Sequence, residues 1–165
     1  MRNLPKRLFG STEGERGLIL AGIGVAMFGA ALSFSVVNRL GGDPEIIRIS
    51  GLYDLWSIVA GSVGAVAALY IGRGSFGYPG ALGWSRAFVG IGFVTFVGAL
   101  IGGTLALPIF GTMFGPFALA LTLFAHPPLG FFWVFILVCT HLLAINYRRE
   151  RDSVFGIHSQ DTLLA

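Results

Sequence analysis

Charge is what this chain has least of. Only 12% of its residues are Asp, Glu, Lys or Arg, about half the share found in a soluble domain. None of them falls between residues 17 and 38, 55 and 72, or 87 and 147. With 55% apolar residues in a chain of 165, there is too little polar surface to solvate a water-soluble globule. Strict polar/apolar alternation over about ten residues is also missing, which argues against a porin-like barrel.

Other absences exclude chemistry. The single cysteine, Cys139, cannot form an intrachain disulfide. It lies inside an apolar stretch and reads as a small packing residue, silent on redox compartment. The histidines are His126, His141 and His158. His126 and His141 are 15 residues apart, about 22 Å along a helix, so a bis-histidine haem or metal site would need a second subunit. There is no HExxH, no Cys/His cluster and no Ser/His/Asp set within reach. Paired carboxylates within apolar stretches are missing, so acid–base catalysis has no visible machinery. The chain is expected not to be an enzyme and to carry no cofactor and no metal.

What remains is four long apolar stretches, at about residues 17–37, 53–71, 87–108 and 129–147. A bilayer core about 30 Å thick needs about 20 apolar residues in a helix, and helices satisfy their own backbone in lipid. The predicted fold is an all-α integral membrane protein, a four-helix transmembrane bundle. Residues 1–16 read as a leader and 148–165 as a tail, which leaves no room for a folded extramembrane domain within these residues. The first stretch is longer than the 7–15 residues of a signal-peptide core, and it reads as a retained span.

Nine of the eleven Lys and Arg flank one end of these spans; only Arg39 and Arg48 lie at the other. The positive-inside rule places both termini in the cytoplasm of a bacterial-type inner membrane. Tyr53, Trp56 and Trp133 fall near the outer interface, and Tyr70, Tyr78, Trp84 and Tyr147 near the inner one. The net charge of +3 is explained by these flanking residues meeting anionic lipid. No nucleic-acid partner is expected.

Local signals place the ends of elements. Thr12-Glu13-Gly14-Glu15 has the form of a capping box and starts the first helix. Asp43 and Pro44 suit the start of a short surface helix reaching Ser50. Residues 72–84, with five glycines and Pro79, form a loop. Gly72-Arg73-Gly74-Ser75 lacks the ending of a phosphate-binding loop. The uncharged stretch from Gly111 to Pro128 contains Pro116 and is too short for a fifth crossing; it is expected as an interfacial or re-entrant helix on the outer side. Residues 21–32 and 89–100 share six identities at an offset of 68, a likeness that chance explains as well as duplication.

Small residues recur every four positions at Gly22, Ala26 and Ala30, at Ala60, Gly64 and Ala68, and at Gly98, Gly102 and Ala106. Such runs let helix backbones approach closely, within the chain or onto a partner. Two residues are candidates for a polar site. Asp54 stands at the start of the second span, where a helix N-terminus favours a carboxylate. His141 lies within the fourth, and a polar contact to another helix, through a backbone or hydroxyl partner near Thr140 or Ser62, is its expected role, ahead of haem or metal binding or proton transfer. The expected function is a small non-catalytic membrane subunit or accessory factor of a larger inner-membrane complex. Its expected partners are the lipid bilayer and a larger membrane protein or further copies of itself. A small oligomeric transporter or channel is the alternative.

Overall fold

The computed structural model describes residues 12–40 and 51–161. The leader before Thr12 and the short helix expected at residues 44–50 lie outside the described residues. Among the described residues there are five α-helices: α1 (Glu13–Leu40), α2 (Leu52–Gly72), α3 (Ala81–Ala106), α4 (Phe110–Ala125) and α5 (Pro127–Asp161). A single 3-10 turn, Arg73–Ser75, follows α2. Four of the helices, α1, α2, α3 and α5, are long and apolar enough to cross a membrane.

The capping box forms. The Glu15 amide donates to Thr12 Oγ1 and the Thr12 amide donates to Glu15 Oε2, each at 3.3 Å. These bonds satisfy two donors that the first turn leaves open.

Three boundaries differ from the sequence expectation. α3 starts at Ala81, six residues before residue 87, because Pro79 and Gly80 set its entry. Gly80 has φ 85°, a left-handed conformation open to glycine. Trp84 therefore belongs to the helix and not to the loop. α5 continues past Tyr147 to Asp161, so much of the expected tail is helical. Arg148 to Arg151 are good helix formers, and the Glu150 carboxylate accepts the Gly14 amide at 2.9 Å, tying α5 to the start of α1. The segment expected from Gly111 begins one residue earlier, as a continuous 16-residue helix from Phe110 to Ala125 despite Pro116. At about 1.5 Å per residue it is too short to cross a bilayer core. A turn joins it to α3, with Gly111 N–H donating to Leu107 O at 2.7 Å. In that turn the β-branched Ile109 has φ 74°, a region such residues rarely occupy.

Around the bundle the neighbours run α5, α1, α2, α3 and α4, with α4 also touching α1 and α5. α1 and α5 are antiparallel and meet through large side chains. Phe28 stacks on Trp133 with ring centroids 6.0 Å apart, and Val25 and Leu137 are fully buried. The other seams are made of backbone. A Cβ on Gly64 would stand 2.6 Å from the Gly102 nitrogen and 2.7 Å from the Gly98 oxygen. A Cβ on Gly29 would stand 2.8 Å from the Gly61 oxygen. Gly103 meets Gly111 and Gly115 in the same way, joining α3 to α4. Outside these seams large side chains such as Met27, Val89 and Phe131 are more than two-thirds exposed. Apolar surface of this extent is untenable in water and ordinary in lipid.

These seams make a test. Gly64→Ala forces α2 and α3 apart and is expected to cost about 1–3 kcal/mol, the range of an overpacked core. Gly22→Ala meets nothing within 4 Å and is expected to be neutral or stabilising. Thermal unfolding midpoints of the two variants in one detergent check the contrast.

Candidate functional site

The glycine seams leave a space between them. In the half of the bundle away from the chain termini a partly open cavity of about 150 Å³ is lined by residues of all five helices. Gly29, Gly61, Gly98, Gly102, Gly103 and Gly115 form much of its wall. Among its lining residues only Tyr53 is ionisable. The wall carries a few polar groups. Ser33 Oγ donates to the Ser57 carbonyl at 2.6 Å. Trp133 Nε1 donates to Thr95 Oγ1 at 2.7 Å, and Thr95 Oγ1 donates in turn to Ile91 O at 2.7 Å. The Ser57 hydroxyl is buried with no hydrogen-bond partner. Such a chamber suits an uncharged, mainly apolar molecule with one group able to bond a hydroxyl.

A second polar position lies at the other end. His141 is fully buried. Its Nδ1 accepts the Gly77 N–H at 3.2 Å, which assigns the neutral ring's proton to Nε2. Nε2 has no hydrogen-bond partner. The ring lies 4.9 Å from Trp84 and 6.3 Å from Phe76, centroid to centroid. Its partner is backbone, of the loop after α2, and not the hydroxyl of Ser62. The loop after α2 folds back and delivers Gly77 to α5, a contact between residues 64 apart in sequence. His141 acts as a post that holds this loop against the bundle.

Beside it, Tyr78 carries two guanidinium groups. Arg148 Cζ lies 4.0 Å and Arg86 Cζ 4.7 Å from the ring centroid. A hydrogen bond from Arg148, then the charges of Arg148 and Arg86, hold the Tyr78 phenol below its usual pKa of 10.0.

Asp54 sits in the first turn of α2, half-buried, at the opposite end from His141. The structure does not bring the two together. His126 is exposed at the α4–α5 junction. Among the described residues no three His, Cys, Asp or Glu side chains gather as a metal site.

The small-residue runs separate. Ala60, Gly64, Ala68 and Gly102 are buried and Gly98 is half-buried; they form the α2–α3 seam. Ala106 is half-buried and lines the cavity. Gly22, Ala26 and Ala30 are half-buried. The sequence reading missed Ser57, Gly61 and Ala65, a second four-spaced run on α2 that faces α1 and the cavity. It also missed Thr95, Trp133 and the Tyr78 cluster; their partners come from distant helices, and no local spacing announces them.

Together these features define a class, a multi-pass α-helical membrane protein with a partly open apolar cavity. No protein-family model matches the chain, and no curated protein or solved structure is detectably similar to it.

The Tyr78 cluster gives a pH test. A lowered phenol pKa means the folded state favours the tyrosinate. Its contribution is fully present above the unfolded value and is lost as pH falls through the folded value, so neutral pH shows little of it. In Arg148→Gln, the first tyrosine to ionise should shift upward toward 10.0. Tyrosinate absorbance during an alkaline titration checks it.

Proposed function

We propose that this protein is a small non-catalytic integral subunit or accessory factor of a larger complex in a bacterial-type inner membrane. The proposal includes both termini in the cytoplasm, supported by nine of eleven basic residues flanking one end.

The observation that carries the proposal is the state of the α1 run. The runs on α2 and α3 are closed against each other. Around Gly22 nothing stands within 4 Å of where a Cβ would be. The Gly22, Ala26 and Ala30 side of α1 thus keeps a close-approach surface with no partner helix at Gly22. Docking onto a neighbouring membrane helix uses such a surface through van der Waals contact. The extension of α5 past its apolar part, to Asp161, supplies a second element able to meet a partner outside the bilayer.

Gentle solubilisation at native expression, followed by identification of co-purifying proteins, tests this. The expected result is a stoichiometric larger membrane partner. Gly22→Leu should sharply reduce its recovery with the thermal midpoint unchanged. A free monomer across several mild detergents contradicts the proposal.

The cavity favours a second reading, a small oligomeric transporter or channel for an uncharged solute. Asp54, in the first turn of α2, stands at the same end of the bundle as the chamber. Liposomes containing the pure protein should then move a solute, with loss on Asp54→Ala; tight liposomes with no flux contradict it.

A further inference from the structure

Three segments distant in sequence bring positive charge to one tyrosine ring at the end of the bundle that carries the termini. Arg86 comes from the second turn of α3, Arg148 from α5 where its apolar part ends, and Tyr78 from the loop between α2 and α3. Their Cζ atoms pack against that ring at 4.7 and 4.0 Å from its centroid, so both guanidinium groups meet at one side chain. Two positive charges gathered at one side chain raise the local potential and favour an anion at that surface. Among the described residues neither forms an ion pair with a carboxylate. The nearby Glu150 is engaged with the Gly14 amide on α1.

The start of α3 adds to the positive potential at this end. Its N-cap, Gly80, supplies no side-chain bond, and nothing stands within 4 Å of a Cβ there. The first turn brings the positive end of the helix dipole to this end of the bundle.

The surface below this charge is apolar. Arg86, Val89 and Phe93 follow helical spacing along one face of α3. Val89 is 74% exposed and Phe93 45%. From Arg86 this face runs away from the terminal end, toward the middle of the bundle. A ligand that fits both parts has an anionic head and a hydrocarbon body.

We propose that Arg86 and Arg148, aided by the positive end of the α3 dipole, bind the phosphate of an anionic phospholipid, with its acyl chains along the Val89 and Phe93 face. Arginine forks match phosphate oxygens, and basic pockets between membrane helices hold acidic headgroups. The site stands whichever partner or solute the rest of the protein serves.

Native mass spectrometry of the full chain in detergent tests this. Three arms are used: phosphatidylglycerol, phosphatidylcholine with the same chains, and phosphatidylglycerol with millimolar inorganic phosphate. The wild type should retain phosphatidylglycerol over phosphatidylcholine, and each arginine should contribute roughly fivefold to that preference. The double variant Arg86→Gln, Arg148→Gln should therefore lose most of it. Arg149→Gln removes the same charge from the next, exposed position and should keep the preference within about twofold of wild type. Arg86→Lys with Arg148→Lys should restore most of the preference lost in the Gln variant.

Equal retention of the two lipids overturns the proposal, as does an equal loss in Arg149→Gln, which would mean diffuse charge attraction. Displacement by inorganic phosphate overturns the lipid assignment. Failure of the Lys variant to restore the preference overturns it too, and leaves the arginines as supports for Tyr78.

Discussion

Helices surrounded by lipid gain nothing by hiding leucine from water. Something else must hold them together, and here it is the approach of backbone to backbone. At Gly64 the α2 backbone lies closer to Gly98 and Gly102 of α3 than any side chain would permit. The same device joins α1 to α2 and α3 to α4. Dispersion contacts summed over such seams replace the hydrophobic core of a soluble protein. The exposed Met27, Val89 and Phe131 then face hydrocarbon at no cost.

That packing rule also shapes the interior. Residues chosen for having no side chain fill space poorly where three or more helices meet. The cavity lies where the glycine seams converge, and its polar groups are hydroxyls and one indole. At the terminal end the logic reverses. His141, Trp84, Phe76 and Tyr78 fill the space with rings, and two arginines close over them. The chamber is walled by small and apolar residues; the space around Tyr78 at the opposite end is filled with rings and cationic.

How much of this the sequence revealed follows from range. The four crossing-length helices were legible because lipid demands charge-free runs of fixed length. The start of α1 was legible because a capping box is local. The start of α3 was obscured by glycines that read as loop, although Gly83 packs in the first turn against the Tyr78 carbonyl. The continuation of α5 was hidden by its change from apolar to charged composition. The partner of His141 was out of reach, since it is set by how a loop returns 64 residues before it. Ser57, Gly61 and Ala65 carried a readable spacing, and Ala60, Gly64 and Ala68 on the same helix drew attention from it.

The central claim is that the α2 and α3 small residues meet within one chain. Introduced cysteines test it most directly. A Cβ at position 98 would lie 3.5 Å from the Ala68 Cβ, inside the range a disulfide bridges. With Cys139 replaced by Ser, the pair Ala68→Cys and Gly98→Cys should form an intrachain disulfide on mild oxidation in native membranes. The product should migrate as a monomer and be cross-linked by peptide mapping. No cross-link, or disulfide-linked dimers in its place, would contradict the claim.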